Sequence, residues 1–255
     1  MIGFQYIKNM KKSKTRLFIE QKLAKNMLID VQDKQHHFLK NVIRIKINDE
    51  IKIFDNKTGE WLAKISLINR HNTVLKIVKK NREMLKENDI WLAFAPIKAN
   101  RLNITIQKAT ELGVAKFMPC KTDYTNNHFI NYKNLELNII EAAEQCERLD
   151  IPVMEKLISL EKFINSHPKD RAIIFCNEKN KKPSNIFESI LNIKKQYAKW
   201  TVLIGPEGGF SESEEKIIIN NSSTTSISLG TRVLRSDTAT AAAIFALQSL
   251  IENKT

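Results

Sequence analysis

Downstream of residue 90 the chain alternates between two hydrophobic periods, and that alternation restricts its fold more than any other feature. Apolar segments of strand length fall at 90–96, 115–120, 171–176, 200–204 and 225–229. Segments with a 3.6-residue period follow them at 101–112, 135–149, 183–195, 211–221 and 237–251. Strands separated by helix-length crossovers pair in parallel, with the helices covering the sheet, so an α/β fold with a mostly parallel sheet is expected. Local punctuation agrees: Gly113 stands where a helix C-terminal glycine belongs, and Ser211 with Glu214 forms an S-x-x-E capping box. The last helix is apolar at Ala239, Ala242, Ala243, Ala246, Leu247 and Leu250, and its opposite face carries Ile244 and Phe245. A helix apolar nearly all round belongs in a core or against a partner.

The N-terminal third reads differently. Short strand-like segments at 17–19, 50–54, 61–67 and 73–78, with a turn from Asp55 to Gly59, predict a small β-barrel over residues 16–82. Asp33 is placed to cap a short helix through His36 and His37 to Val42, and Trp61 reads as core. Residues 1–15 lack a regular period and read as a flexible N-terminus; residues 81–88 read as a polar connector into a second domain, 83–255.

Charge separates the two parts. Residues 1–84 hold 19 Lys and Arg against 8 Asp and Glu, whereas the remaining 171 hold 22 against 20. A compositional drift would affect both parts, so the asymmetry points to a polyanion-binding N-terminal module, with Lys52, Lys64, Lys76 and Lys79 on its solvent face. His36 and His37 have no third ligand at a usual spacing, which favours a packed or RNA-facing helix start over a metal site. Cys120, Cys146 and Cys176 contain no CxxC pair and read as three buried structural thiols of a reducing, cytoplasmic compartment. No apolar run has the length of a membrane span, and the N-terminus shows no secretory apolar region.

Two loops at the C-terminal ends of expected strands carry the chemistry. The first, Ile204-Gly-Pro-Glu-Gly-Gly-Phe210, holds three of the seven glycines, which let the backbone turn sharply and approach a ligand closely. It matches neither the phosphate-binding nor the dinucleotide glycine pattern. The second is the Leu229–Thr238 stretch, with Arg232 and Arg235 ahead of Ser236-Asp237-Thr238 at a helix start. Ligands of open α/β sheets collect at these strand ends.

Together these residues resemble the SPOUT superfamily of S-adenosyl-L-methionine-dependent RNA methyltransferases. Within it they are most similar to the RsmE family, bacterial enzymes that methylate N3 of one uridine in small-subunit (16S) ribosomal RNA. The resemblance spans nearly the whole chain: Arg16–Ile19, His36-His37 with Val42–Arg44, Gln107–Gly113, Glu141–Gln145, Ile204–Phe210 and Leu229–Ala243. It implies a PUA-like N-terminal barrel, a catalytic domain with a trefoil knot at roughly 200–240, and a homodimer acting on the 30S subunit. It further implies cofactor contacts from Cys176, Asn177, Glu178, Leu203, Ile204, Gly205, Pro206, Glu207, Gly208, Gly209, Leu229, Gly230, Val233, Leu234, Thr238 and Ala239. Arg232 and Arg235 are candidate donors to the uracil oxygens, and Glu207 or Asp237 a candidate to orient an arginine or accept the N3 proton. Arg16, His36, His37, Arg44, Lys98 and Arg101 are the implied RNA contacts. The chain departs from the family pattern at Thr231, where proline is usual, at Ser236-Asp237, where Thr-Glu is common, and at Glu147–Asp150. Ribose 2′-O methylation, or a non-catalytic RNA-binding assembly factor, are the alternatives; the intact glycine loop argues against the second, and the barrel with Leu234-Arg-Ser-Asp-Thr238 favours base methylation over the first.

Overall fold

The computed structural model describes residues 13–85, 87–125, 129–178 and 186–252. The chain divides into two compact units, Met1–Lys86 and Glu87–Thr255.

The first unit contains β1 (Arg16–Phe18), β2 (Leu28–Gln32), α1 (Asp33–His37), a π-helical turn (Phe38–Val42), β3 (Glu50–Asp55), β4 (Gly59–Ile68) and β5 (Asn72–Arg82). The strands form one five-stranded ladder, β1-β3-β4-β5-β2, with only the β1–β3 pair parallel. Among the described residues the ladder does not close into a barrel by hydrogen bonds; register shifts between β4 and β5 at three points bend it around its core. Inward positions two apart along the strands, among them Ile51, Ile53, Trp61, Ala63, Ile65, Leu75 and Ile77, make that core. Strand β2 went unrecognised in the sequence because it is short and its buried pair, Ile29 and Val31, is preceded by an exposed Leu28 that blurs the alternation. Asp33 does not cap α1. Gln32 occupies that position, and Asp33 is the first helical residue with φ of 47°.

A buried carboxylate holds this unit together. Glu60 is 0% exposed and accepts from Arg16 Nε and Arg82 Nη2, both at 2.7 Å, and from Asn81. The Arg16 guanidinium also lies 3.7 Å from the centre of the Phe54 ring. Burial alone would raise the Glu60 pKa, but the hydrogen bonds from Arg82, Arg16 and Asn81 outweigh it and hold the carboxyl below its usual value. Asn81 and Arg82 therefore belong to β5 and to the cluster around Glu60 rather than to a connector.

The second unit continues with β6 (Ile90–Phe94), α2 (Ala99–Glu111), β7 (Lys116–Lys121), α3 (Tyr132–Gln145), β8 (Val153–Met154), β9 (Ile158–Ser159), α4 (Leu160–Asn165) and β10 (Arg171–Cys176). It ends with α5 (Ile186–Lys194), β11 (Lys199–Ile204), α6 (Glu212–Asn220), β12 (Thr224–Ile227) and α7 (Ser236–Glu252). The sheet runs β12-β10-β11-β6-β7-β8 with every pair parallel, and β9 adds to β7. Period-two alternation sends Leu92, Ile174 and Val202 to a core shared with α2, α3, α5 and α7. Their neighbours Ala93, Ile173, Phe175 and Leu203 face α4 and α6. The result is a three-layer α/β sandwich.

Helix boundaries follow local chemistry. Gly113 takes φ of 85° after α2, and the Ser211–Glu214 capping box is formed at the start of α6. Helix α3 stops at Gln145, short of the expected Leu149, because Glu147 turns left-handed with φ of 62°. That turn buries Arg148, whose Nη1 donates to the carbonyls of Thr110 and Val114 at 2.8 and 3.0 Å. Of the three cysteines only Cys120 is buried; Cys146 lies exposed just past α3. In α7, Thr240, Ala243, Ile244, Ala246 and Leu247 face inward, so Ile244 sits with the core and Ala242 faces out. The start of the helix expected over 183–195, residues 183–185, and nearly all of the expected flexible N-terminus lie outside the described residues.

Candidate active site

The parallel strands of this sheet end on one side, and a pocket opens across the ends of β10, β11 and β12. After β10 it is lined by Phe175, Cys176, Asn177 and Glu178; after β11 by Ile204, Gly205, Pro206, Gly209 and Phe210. Glu215 of α6 contributes, as do Ser228, Leu229, Gly230, Arg232, Leu234, Ser236 and Ala239 after β12. The order β12-β10-β11 brings together segments that are widely separated in sequence. This is the strand-end crevice where open α/β sheets bind ligands.

Two glycines have geometric reasons to be there. A Cβ on Gly205 would lie 2.7 Å from the ring of Phe210, which packs edge-on against Phe175 with centroids 5.3 Å apart. Gly209 takes φ of 71° and leaves room beside the Glu178 carboxylate. The Ser236 hydroxyl donates to the Gly205 carbonyl at 3.0 Å and ties the start of α7 to the glycine loop. Desolvation pushes the Cys176 thiol up to about 12, which keeps it a small neutral wall and not a nucleophile.

The lining suits a molecule with an apolar ring, hydroxyls and separated charges. Phe175, Phe210, Leu229 and Leu234 supply apolar surface, glycine and loop backbone supplies polar contacts, and Glu178, Glu215 and Arg232 supply both signs of charge.

Eleven of the sixteen expected cofactor positions line this pocket: Cys176, Asn177, Glu178, Ile204, Gly205, Pro206, Gly209, Leu229, Gly230, Leu234 and Ala239. Leu203 does not, because its side chain points into the α4–α6 core. Val233 is 78% exposed and turned to solvent, and Glu207, Gly208 and Thr238 are likewise exposed outside the lining. Phe175, Phe210, Glu215, Ser228 and Ser236 line the pocket without having been expected there. Phe210 closes the glycine loop and Glu215 follows the capping Glu214, so both were near recognised signals.

Of the four candidate catalytic residues, only Arg232 reaches the pocket lining. Arg235 is exposed one turn before Ala239, whose N–H donates to the Arg235 carbonyl at 2.8 Å. Asp237 accepts from the backbone N–H of Thr238 at 2.9 Å, a local helix-start contact. Glu207 lies 3.5 Å from Arg101, joining a candidate catalytic residue to an expected RNA contact. Lys98 is exposed just before α2.

The expected RNA contacts of the first unit split. Arg16 is turned inward onto Glu60 and Phe54, which commits its charge to the interior. His36 is buried: its Nε2 donates to the Arg70 carbonyl at 3.2 Å, and its Nδ1 is hydrogen-bonded to the Thr73 hydroxyl at 2.8 Å. His37 and Arg44 remain exposed. Among the described residues no cluster of three or more His, Cys, Asp or Glu could hold a metal ion.

Residues 84–248 match the family model for an RNA methyltransferase domain, and residues 31–78 that for an RNA methyltransferase PUA domain. Ribosomal RNA small subunit methyltransferase E of Rickettsia conorii is 32% identical over 230 residues, covering 90% of this chain and 93% of that protein. The protein of the same name from Buchnera aphidicola subsp. Schizaphis graminum is 32% identical over 249 residues, covering 94% and 97%. Among solved structures, ribosomal RNA small subunit methyltransferase E of Neisseria gonorrhoeae, bound to S-adenosyl methionine, superposes with a TM-score of 0.83 at 24% identity, covering 92% of this chain and 97% of that one. At that identity the likeness establishes the fold.

Proposed function

Because the chain belongs to the ribosomal RNA small subunit methyltransferase E family, we propose that it uses S-adenosyl-L-methionine to methylate N3 of a uridine in 16S ribosomal RNA within the assembled 30S subunit. The observation that carries this reading is the pocket at the ends of β10, β11 and β12, whose lining suits that cofactor. When bound, the cofactor supplies an electrophilic methyl group on a sulfonium. Glu178 and Glu215 would hold its cationic part, the Gly205, Gly209 and Gly230 backbone its polar groups, and Leu229 and Leu234 its ring.

The chain's own residues supply the rest. A uracil N3 is nucleophilic only after losing its proton, and the charge then spreads to O2 and O4. Arg232 and Arg235, in one loop, are the donors for those oxygens. Glu207, held by Arg101 beside the glycine loop, and Asp237 are the carboxylates available to orient an arginine or take the proton. A trefoil knot over roughly 200–240 belongs to the same reading. It is supported by β11 and β12 flanking β10 and by the Ser236–Gly205 hydrogen bond between the two loops.

The decisive assay supplies purified protein with labelled cofactor and 30S subunits from cells lacking it. Labelled 3-methyluridine is expected; label in a ribose, or none from folded protein, overturns the proposal.

The first unit is the RNA-holding module in this reading, since it carries the excess of Lys and Arg. RNA affinity should fall steeply with salt, and reversing Lys64, Lys76 and Lys79 to Glu together should reduce the log–log salt slope by about 2 to 3. Cofactor affinity should not move. An unchanged slope in a filter-binding titration assigns the contacts elsewhere.

The protein works in the cytoplasm as a homodimer. Among the described residues no helix is long and apolar enough to cross a membrane. The outer stripe of α7 supports the dimer: Thr238, Ala242 and Phe245 are exposed, Phe245 at 63%. Phe245→Glu should give a folded monomer by light scattering. Ala243→Glu would instead unfold the unit, since Ala243 is core. A dimer that survives Phe245→Glu places the interface on another face.

A further inference from the structure

The pocket occupies only one half of the strand-end edge. Beyond β11 the sheet continues through β6 and β7, and their ends carry Lys98 and Arg101, then Lys121 and the turn Thr122–Thr125. That turn is held by hydrogen bonds. The Thr125 hydroxyl oxygen accepts from the Thr122 N–H at 2.9 Å, and the Thr125 N–H donates to the Thr122 carbonyl at 3.1 Å. The Asp123 N–H donates to Glu214 Oε1 at 2.9 Å, and the Ser211 hydroxyl donates to Asp123 Oδ2 at 2.6 Å. Thr122 and Thr125 are buried, yet Tyr124 between them leaves 49% of its surface exposed.

Tyr124 also adjoins the glycine loop. A Cβ on Gly208 would lie 3.3 Å from the Cβ of Tyr124, so the missing side chain lets the two loops close on each other. Immediately before Gly208, Glu207 is paired with Arg101. Along one edge therefore run the pocket, the Arg101–Glu207 pair and an aromatic ring on a hydrogen-bonded turn, with exposed lysines on both sides.

We infer that Tyr124 is a stacking platform for an unstacked base of the RNA substrate beside the methyl-transfer pocket, an inference that rests on the RNA-methyltransferase reading above. An enzyme that acts on a base edge must take that base out of its stack, which leaves a base face to be covered. An aromatic ring covers it at little entropic cost, and more so when its backbone is already held. The positive charge of Lys98, Arg101 and Lys121 suits the phosphates that would flank such a base. Tyr124 touches substrate and takes no part in proton transfer.

The test compares Tyr124→Ala, Tyr124→Leu, Tyr124→Phe and Tyr124→Trp in the 30S methylation assay, with cofactor affinity and melting temperature measured on each. Loss of one stacked base predicts a roughly ten- to hundredfold lower kcat/KM for the Ala and Leu variants. Phe and Trp should restore most of it, and cofactor affinity should stay at the wild-type value throughout. The side chain is half exposed, so melting temperatures should not move; if Ala does lower stability, Leu decides. Wild-type rates in Ala and Leu, or failure of Phe and Trp to rescue, overturn the inference. If wild-type protein itself transfers no methyl group, the functional reading fails; if it does and Tyr124→Ala matches it, only this inference fails.

Discussion

Arg235→Ala should turn over on 30S subunits roughly a hundred- to a thousandfold more slowly than wild type, the cost of one donor to a developing oxyanion. Its cofactor affinity should be unchanged, because Arg235 lies outside the pocket lining. Arg232→Ala should lose turnover by a similar factor and also weaken cofactor binding, because Arg232 is part of that lining. Both side chains are exposed, so neither change should lower the melting temperature appreciably. Lysine should rescue neither fully, since a point charge does not reproduce the planar fork of donors. The pair of measurements separates the two arginines: turnover alone for Arg235, turnover with affinity for Arg232. Near-normal turnover in both, or loss through unfolding, removes them from the chemistry.

The largest effect on stability is expected at Glu60. Glu60→Gln keeps the shape but leaves Arg16 buried without its counter-charge, at a cost of about 3–5 kcal/mol. For a unit of this size that is a fall of more than about 10 °C in its melting transition. The pH dependence has a definite sign. The folded pKa of Glu60 lies below its unfolded value, so its contribution is complete above about 4.5 and disappears as pH falls through the folded value. Asp55 acts in the same direction. Burial would raise its pKa, but N–H donors from Thr58, Leu23 and Lys57 outweigh that and lower it. Wild-type protein should therefore lose stability steeply on acidification below about 4.5, and Glu60→Gln less steeply. Equal acid slopes in thermal melts of the two proteins would show that Glu60 is not ionised in the folded state.

Local periodicity and turn chemistry were legible from the residues alone. The alternation from residue 90 specified a parallel α/β sheet, Gly113 and the Ser211–Glu214 box marked helix ends, and the glycine loop with the Leu229–Thr238 stretch named two of the segments that line the pocket. These signals depend on residues within a turn or two of one another. The tertiary structure decided which distant groups meet. Arg16 reads as a surface cation until Glu60, 44 residues away, draws it inside. Glu207 reads as a carboxylate to orient an arginine or take a proton, but its partner Arg101 is brought beside it only by the adjacency of β6 and β11. Phe175 and Phe210 meet only because β10 lies next to β11. In α7, apolar residues all round left the inward face undecided, and packing on the sheet chose Ile244 over Ala242. Tyr124 carries no sequence signal; its position beside Gly208 comes from two loops stapled through Glu214 and Asp123. Periodicity records which faces are apolar, whereas partner choice depends on strand order, which no local segment contains.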